Sequence, residues 1–400
     1  MKTPANNSPI DVKELVRKYS IEELNKAAEE YWVGMRNSKD ILSKPYLLGT
    51  VQHLLVQIAH LVGGLTLYPG LTVLDFGAGS CYGSRILNQL GMRVISCDVS
   101  RTALKIGKTL SERYPPVGEQ PEHVFLHFDG KSFDLPDGSV DRIFCLDALH
   151  HVPSQANTLK EMARVLTDGG IAGFCEPGPT HSLHPESQFA MRNHTVIEND
   201  IVLSHIFENG KRFGFTEMKV AVAPIHPIMV PIADLNKFFK KSGPLLHSIE
   251  QRVLNYPIFF MYKGTPQATD SRVADNLVGR LRTSNREIVG DSRLPVRFQV
   301  EAENISSKMW RASGPKLGCV NLGAFLHQPP QGGTIVPSKE YRFSLSLRDV
   351  RPGEKVSAVV DLGILRPGAY TLDVDLVSEH VCWFQNNCKS QLTLSVRIQP

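Results

Sequence analysis

One run of eleven residues constrains the fold of this chain more than any other part of it. Residues 73–83 read VLDFGAGSCYG, an apolar strand that leads into a turn with glycines at positions 77, 79 and 83. Glycine has no Cβ, so such a turn can bend sharply and bring its backbone close to a ligand. A strand, a glycine-rich turn and a helix in this order predict a ligand-binding βαβ unit. Dinucleotide-binding proteins share this pattern, so the run by itself does not identify the ligand.

Short apolar strands alternate with helical segments on both sides of this turn. The predicted strands cover residues 72–76, 93–98, 124–128, 140–146 and 170–175, and then 216–223 and 256–263. Helices are predicted to begin near Ser84, Arg101 and Ser154, and a helical insertion covers residues 234–253. This alternation predicts an α/β fold with a doubly wound, Rossmann-like parallel sheet. Ligands of such sheets bind at the carboxyl ends of the strands.

The length of the chain predicts more than one domain. Four hundred residues, 42% of them hydrophobic, exceed what one core usually serves. The first predicted domain is residues 1–265, and it opens with a helical lid whose capping box pairs Ser20 with Glu23. Residues 266–292 are polar and are predicted to form a linker with one helix. Residues 293–400 alternate apolar and polar positions, which predicts an immunoglobulin-like β-sandwich.

Composition argues against several classes of partner. The formal net charge is +4 and no block of basic residues occurs, so nucleic acid is not expected as a partner. The sequence shows no signal peptide and no apolar run long enough to span a bilayer, which predicts a cytoplasmic protein without membrane insertion. The chain has an odd number of cysteines, seven, and four of them lie in apolar, strand-like or loop contexts, which fits a reducing compartment: Cys81, Cys97, Cys145 and Cys175. Cys382 and Cys388 lack a second ligand pair, so no metal site is expected.

Acidic residues follow the second and third predicted strands. Asp98 ends the second strand 21 residues after Gly77, where a carboxylate can accept two hydrogen bonds from vicinal ribose hydroxyls. Asp129 follows the third strand in the sequence FDG. Two further runs come next: LPDGSVDRIFCLDALHHVP at residues 135–153 and EMARVLTDGG at residues 161–170.

In this order, the four motifs resemble the class I, type-11 family of S-adenosylmethionine-dependent methyltransferases over about residues 45–220. The resemblance implies that the loop of Gly77 and Gly79 packs against the methionine part of the cofactor. It also implies that Asp98 holds the ribose hydroxyls, that Asp129 reaches the adenine amino group, and that residues 146–149 lie beneath the sulfonium. The cofactor-binding set is therefore Asp75, Gly77, Ala78, Gly79, Asp98, Val99, Asp129, Gly130, Leu146 and Asp147.

The glycine-loop motif also contains Asp75 and Cys81. Asp75 is expected to order the loop more than to take part in chemistry. Cys81 stands where the family usually has a third glycine. A thiol is small but carries a Cβ, so this position is expected to adopt an ordinary backbone conformation without loss of cofactor binding.

Methyl transfer to a hydroxyl gains from a base that removes the hydroxyl proton. The candidates lie after the fourth and fifth strands, at the same edge of the sheet as the cofactor motifs. The favoured set is His181, Glu176 and His151, with His150 and His184 as further candidates. A cofactor-packing role for His151 and structural roles for the other two stay open at this point.

The C-terminal segment resembles the β-sandwich of polysaccharide-export ATPase subunits, which binds sugar chains. This resemblance covers about residues 295–398 and implies an O-methyltransferase that acts on a sugar or a surface polysaccharide, in polysaccharide biosynthesis. Trp383 could stack on a sugar ring or belong to the core. Two alternatives stay open: a small-metabolite methyltransferase whose β domain mediates homo-oligomer formation, and a glycan-binding protein without enzymatic activity.

Overall fold

The structure is a computed structural model that describes residues 8–118, 121–223, 229–240, 243–264, 270–328, 338–387 and 390–400. Tertiary contacts divide the chain into two compact units, residues 1–267 and 268–400. Cys388, one half of the cysteine pair noted above, lies outside the described residues. Within the described ranges, no helix is both long and apolar enough to cross a membrane.

The helices of the first unit precede, interleave with and follow its strands. The α-helices are α1 (Val12–Lys18), α2 (Ile21–Met35), α3 (Lys39–Ser43), α4 (Val51–Gly64), α5 (Tyr82–Gln89), α6 (Arg101–Arg113), α7 (Gln155–Val165), α8 (Pro185–His194), α9 (Leu203–Lys211), α10 (Leu235–Lys240) and α11 (Gly243–Asn255). The strands are β1 (Thr72–Phe76), β2 (Arg93–Asp98), β3 (His123–His127), β4 (Val140–Leu146), β5 (Leu166–Cys175), β6 (Phe215–Val220) and β7 (Ile258–Lys263). Short 3₁₀ turns occupy Leu149–His151, His181–Leu183 and Ile232–Asp234.

The seven strands form one sheet in the order β3-β2-β1-β4-β5-β7-β6. The five strands from β3 to β5 are parallel, whereas β7 runs antiparallel to both of its neighbours. The strand order reverses between β1 and β4, and open α/β sheets bind ligands at such a switch point. The predicted doubly wound α/β sheet is confirmed, and β1, β2 and β4 have the predicted bounds.

Both faces of this sheet are covered by helices, because successive residues of a strand point to opposite sides. Leu74 of β1 packs with Leu159 and Met162 of α7 on one face. Val73, the preceding residue, packs on the other face with Leu61 of α4. The predicted helical insertion at residues 234–253 consists of two helices, α10 and α11.

The second unit is built from strands in two sheets. Its strands are β8 (Gly279–Arg282), β9 (Glu287–Asp291), β10 (Arg297–Asn304), β11 (Val320–His327), β12 (Lys339–Ser344), β13 (Lys355–Asp361), β14 (Gly368–Ser378), β15 (Cys382–Trp383) and β16 (Leu392–Gln399), with a 3₁₀ turn at Phe384–Asn386. One sheet has the order β13-β10-β8 and the other β12-β11-β14-β16-β9, with β15 paired to β14. The two sheets share a hydrophobic core around the fully buried Trp310. A two-sheet unit of the predicted kind is therefore present.

The predicted linker, residues 266–292, contains two strands. Residues 279–282 and 287–291 are strands, not a helix in a polar connection, and both pair with strands of the second unit. Their polar residues misled the prediction because β8 and β9 are edge strands with one face in water. The pairing of β9 with β16 is parallel, so the second unit is not wholly antiparallel.

Trp383 lies on the outer face of the larger sheet and is half-buried. Its ring lies 5.1 Å from the ring of Phe325, and the Arg342 guanidinium lies 4.6 Å from its centre. A Cβ at Gly323 would come within 2.3 Å of the same ring. Trp383 is therefore packed against the sheet surface outside the core that contains Trp310.

Candidate functional site

A cavity of about 400 Å³ opens at the carboxyl edge of the seven-stranded sheet. Its walls come from α2, from the loops that follow β1 to β4, and from the segment after α8. The lining residues include Trp32, Lys44, Gly77, Gly79, Asp98, Val99, Gly130, Asp147, Ala148, His151 and Glu198. The cavity thus lies at the switch point of the strand order, as the fold class predicts.

The glycine loop forms the floor of the cavity between β1 and β4. Gly77 and Gly79 have φ angles of +67° and +52°, which glycine adopts without cost. A Cβ at Gly77 would lie 2.2 Å from the Cβ of Ala148, and one at Gly79 would lie 3.0 Å from the Trp32 ring. Gly77 is therefore required by conformation and by space, whereas a side chain at Gly79 would meet backbone strain and a close contact with the Trp32 ring. Ala78, between them, points away from the cavity and packs with Cys81 and Leu104.

Cys81 corrects the expectation of an ordinary backbone at the third position of the loop. Its φ and ψ are +56° and +31°, the left-handed conformation that a glycine would favour. The side chain is fully buried, and its Sγ lies 3.5 Å from the Gly79 carbonyl oxygen. A Cβ at Gly107 of α6 would lie 2.2 Å from this Sγ. The thiol is accommodated because Gly107 leaves space for it.

Asp98 joins the end of β2 to the glycine loop. The Gly79 N–H donates to its Oδ2 at 2.8 Å, and the Ser100 N–H donates to its Oδ1 at 2.8 Å. Burial raises the pKa of Asp98 to about 6, although these two backbone donors favour the charged form. Each carboxylate oxygen can accept a second hydrogen bond, so both can also accept one from the hydroxyl of a ligand in the cavity.

Asp75 lies under the loop, outside the cavity lining. Its Oδ2 accepts a hydrogen bond from Ser84 Oγ at 2.5 Å, and Ser84 Oγ in turn receives one from Ser96 Oγ at 2.6 Å. Burial raises the pKa of Asp75 to about 7. These contacts connect β1, α5 and β2, which matches the loop-ordering role expected for this residue.

The predicted residues after β3 separate in the structure. Gly130 lines the cavity, whereas the Asp129 carboxylate is exposed and accepts the N–H groups of Lys131 and Ser132 at 2.7 and 2.9 Å. The N–H of Ser132 contributes most to the lowered pKa of Asp129. The Asp129 carbonyl oxygen accepts Asn25 Nδ2 at 2.8 Å. The Asp129 side chain thus stabilises its own turn, and its contact with adenine stays a prediction.

Helix α2 supplies a wall of the cavity. It begins with the predicted capping box, in which Ser20 Oγ accepts the Glu23 N–H and Glu23 accepts the Ser20 N–H. Glu29 fixes the helix to the start of α6, because its carboxylate accepts Ser100 Oγ and Thr102 Oγ, each at 2.6 Å. Glu29 was not found by sequence reasoning, since a lone glutamate on an amphipathic helix gives no local signal.

The loop after β4 presents Asp147 to the cavity, while Leu146 is buried beneath it. Asp147 has a φ of +54° and its Oδ1 is buried without a hydrogen-bond partner among the described residues. Burial raises the pKa of Asp147 to about 8, and the charge of Glu176 adds to this effect. An unsatisfied carboxylate oxygen at a cavity wall is suited to a positively charged or donor-rich ligand group.

Glu176 lies behind the cavity and does not line it. Its carboxylate is fully buried and accepts the N–H groups of Ala148 and Leu149 at 3.0 and 2.8 Å. His150 Nδ1 donates to its Oε2 at 2.7 Å. Burial opposes ionisation, but these donors lower the pKa of Glu176 below its usual value. Glu176 therefore holds the turn Leu149–His151 in place and has no access to the cavity in this geometry.

His151 is the predicted catalytic candidate that lines the cavity. Its Nδ1 donates to the Ile197 carbonyl oxygen at 2.7 Å, so the lone pair of the neutral ring lies on Nε2. About 42% of the side chain is accessible to solvent. Partial loss of water around the ring, with His150 beside it, lowers the pKa of His151 to about 4. The ring is neutral at physiological pH.

Glu198 brings the histidines of two loops together. Its Oε2 accepts His181 Nε2 at 2.7 Å and lies 3.8 Å from His150 Nε2, and its Oε1 lies 3.8 Å from His151 Nδ1. Glu198 lines the cavity, whereas His181 contacts Glu198 and does not itself line the cavity. Sequence reasoning missed Glu198 because it lies in an irregular segment after α8, far from the strand motifs. His184 is the N-terminal cap of α8 and takes no part in this cluster.

Residues 74–174 match a family described as "Methyltransferase domain". This segment contains β1, the glycine loop, Asp98 and the turn with His151. This part of the chain is therefore similar to a methyltransferase domain. The cofactor of this domain is S-adenosylmethionine.

Curated methyltransferases match about a quarter of the chain. A 2-methyl-6-phytyl-1,4-hydroquinone methyltransferase of Synechocystis sp. is 38% identical over 111 residues, which are 27% of this chain and 33% of that protein. The 27-O-demethylrifamycin SV methyltransferase of Amycolatopsis mediterranei is 30% identical over 115 residues, 28% of this chain and 40% of that protein. The matches thus span about a third of the length of these relatives.

Solved structures of methyltransferases are similar to part of this chain. Phosphoethanolamine N-methyltransferase 2 of Haemonchus contortus, in complex with S-adenosylmethionine, has a TM-score of 0.44 and 16% sequence identity. The superposition covers 62% of this chain and 60% of that one.

The residues of the cavity fit S-adenosylmethionine. The loop of Gly77 and Gly79 offers a surface without side chains, and Asp98 keeps acceptor capacity for ribose hydroxyls. The unpaired Oδ1 of Asp147 complements a cofactor that carries a sulfonium and an ammonium group. Polar groups suited to the sugar and to the charged end thus lie on different walls of one cavity.

Proposed function

We propose that this chain transfers a methyl group from S-adenosylmethionine to a hydroxyl of an acceptor, with a sugar or surface polysaccharide as the acceptor class. The observation that carries the proposal is the position of His151 in the same cavity as the glycine loop and Asp98. S-adenosylmethionine supplies an activated methyl group when bound, so the chain has to hold the acceptor in line and remove its proton.

His151 is the proposed base. The Ile197 carbonyl fixes its ring with the Nε2 lone pair free, and a neutral imidazole nitrogen at the cavity wall can accept a hydroxyl proton. Glu198 is proposed to stabilise the imidazolium that then forms, through its carboxylate 3.8 Å from Nδ1. Glu176 and His181, predicted as catalytic, are proposed as positioning residues. Glu176 holds the turn that carries His151, and His181 holds the carboxylate of Glu198.

A polyhydroxylated acceptor is favoured by the mixture of side chains in the cavity. Aromatic rings of Tyr31 and Trp32 and polar groups of Asn25, His151 and Glu198 line the same space. Such a mixture of apolar surface and a few polar groups can orient a sugar ring. An apolar hydroxylated metabolite is the second candidate, because Phe76, Val99 and Phe128 give one part of the cavity an apolar wall.

The second unit is proposed to recruit the glycan. The outer face of β11 and its neighbours combines Phe325 with the ion pairs His327–Asp373 and Arg342–Glu379. Replacing Phe325 with Ser and Arg342 with Ala should raise the Michaelis constant for a polysaccharide acceptor without changing cofactor affinity. Arg397→Ala, which breaks an exposed ion pair on β16, is the matched control.

The test of the proposed chemistry compares His151→Gln with the control His184→Gln. We expect His151→Gln to keep the affinity for S-adenosylhomocysteine within about threefold while it lowers turnover about 100-fold, the usual contribution of a positioned base. The assay follows labelled methyl from S-adenosylmethionine into nucleotide sugars and oligosaccharides, and into hydroxylated quinones as the alternative acceptors. Unchanged turnover by His151→Gln would exclude His151 as the base, and methylation of the quinones alone would exclude the sugar acceptor.

A further inference from the structure

Three potential metal ligands converge at the inner wall of the cavity. His150 lies on the turn after β4, His181 on the turn after β5, and Glu198 on the segment after α8. Their ligand atoms all lie within 4.8 Å of one another. Three separate segments are needed to build this cluster, so no spacing in the sequence indicates it.

The orientation of His150 distinguishes this cluster from an ordinary hydrogen-bonded group. Glu176 accepts backbone N–H groups from Ala148 and Leu149 and acts as an acceptor toward His150 Nδ1 as well. Nδ1 of His150 is thus occupied by Glu176, and Nε2 is the ring nitrogen left for another partner, 3.8 Å from Glu198 Oε2. A cation could bind this nitrogen and the carboxylate oxygen together.

The residues around the cluster make the hydrogen bonds that usually support the ligands of a metal ion. Histidine ligands of metals usually donate the other ring N–H to a carboxylate, which is what His150 does with Glu176. His181 Nδ1 lies 3.5 Å from Oγ of the buried Ser187, a partner for that nitrogen if Nε2 binds an ion. The His150 and Glu198 side chains are 6% and 9% exposed, so water competes little for the ion.

We propose that His150, His181 and Glu198 bind one divalent transition-metal ion. Two imidazoles and one carboxylate suit zinc, cobalt or iron better than magnesium or calcium, which prefer oxygen ligands alone. Three protein ligands leave a coordination position open, and Glu198 borders the cavity. An oxygen atom of the methyl acceptor would bind at the open position. Only this contact between ion and acceptor rests on the proposed function.

The experiment measures metal binding to the full-length chain directly. Chelator-stripped protein is titrated with Co²⁺, whose visible absorption reports nitrogen and oxygen ligands, and with Zn²⁺ by calorimetry. We expect one equivalent to bind, and His150→Ala or Glu198→Gln to weaken binding by about 100-fold or more. Glu176→Gln should weaken it by about 10- to 100-fold through the orientation of His150. His184→Ala, an exposed histidine on the neighbouring helix, should bind as the wild type does.

The outcomes separate this inference from the proposed function. Each sample is also titrated with S-adenosylhomocysteine, and its thermal unfolding is recorded to show that the variants are folded. Cofactor binding without stoichiometric Co²⁺ or Zn²⁺ binding would overturn the metal site and leave the methyltransferase proposal intact. Equal metal affinity of the wild type and Glu198→Gln, the variant closest in shape, would also overturn it.

Discussion

The glycine loop can be tested by adding one methyl group at two glycines that share a backbone conformation. Gly77 and Gly138 have φ angles of +67° and +61°, so alanine costs about 1–2 kcal/mol of conformational strain at either position. At Gly138 no described atom lies within 4 Å of the new Cβ, whereas at Gly77 the Cβ would lie 2.2 Å from that of Ala148. Overpacking of this kind at Gly77 costs roughly a further 1–3 kcal/mol.

We therefore expect Gly138→Ala to lower the free energy of unfolding by about 1–2 kcal/mol, and Gly77→Ala to lower it by about 2–5 kcal/mol. Urea denaturation of both variants measures the difference. Because the loop cannot relax without moving into the cavity, Gly77→Ala should also lose most of its affinity for S-adenosylhomocysteine in calorimetry. Equal stability of the two variants, or wild-type cofactor affinity of Gly77→Ala, would refute the packing argument.

Three further predictions concern buried acids of the same domain. Asp75 has a pKa of about 7 in the folded protein, so the stability that its protonated carboxyl contributes is present below about pH 4 and is lost as pH rises through about 7. Asp75→Asn should therefore raise the melting temperature at about pH 8 more than at about pH 5. Asp98 has a pKa of about 6, so the affinity for S-adenosylhomocysteine should fall up to about tenfold per pH unit below about pH 6, as measured by calorimetry. Glu176→Gln should lower the free energy of unfolding by about 2–4 kcal/mol, because its amide NH2 would meet the N–H groups of Ala148 and Leu149 in one orientation and that of His150 in the other; an unchanged unfolding curve would contradict this.

The parts of the fold that follow from local sequence patterns were predictable. β1, β2 and β4 are short segments rich in apolar residues, and they have the predicted bounds because strands covered on both faces leave that signature. Asp98 was identifiable because it follows a strand at a fixed distance from the glycine loop. The edge strands β8 and β9 were not, because they are short and half in water, like a linker.

The acceptor side of the site depends on tertiary contacts that no local pattern encodes. Glu198 meets His181 and His150 only when an irregular segment folds back over the ends of β4 and β5. Glu176 follows β5 directly, but its full burial and its role under the turn depend on backbone N–H groups from another loop. Cys81 could adopt a left-handed conformation because Gly107 of another helix leaves room for its thiol.

The most direct test of the central claim is calorimetric titration of the full-length chain with S-adenosylhomocysteine. The account predicts saturable binding by the wild type, no binding of nicotinamide dinucleotides, and a loss of about 2–3 kcal/mol, roughly 30- to 150-fold in affinity, in Asp98→Ala. Asp137→Ala, which removes an acid whose side chain is 82% exposed, is the control and should bind like the wild type. Absence of S-adenosylhomocysteine binding, or an Asp98→Ala affinity within threefold of the wild type, would contradict the account.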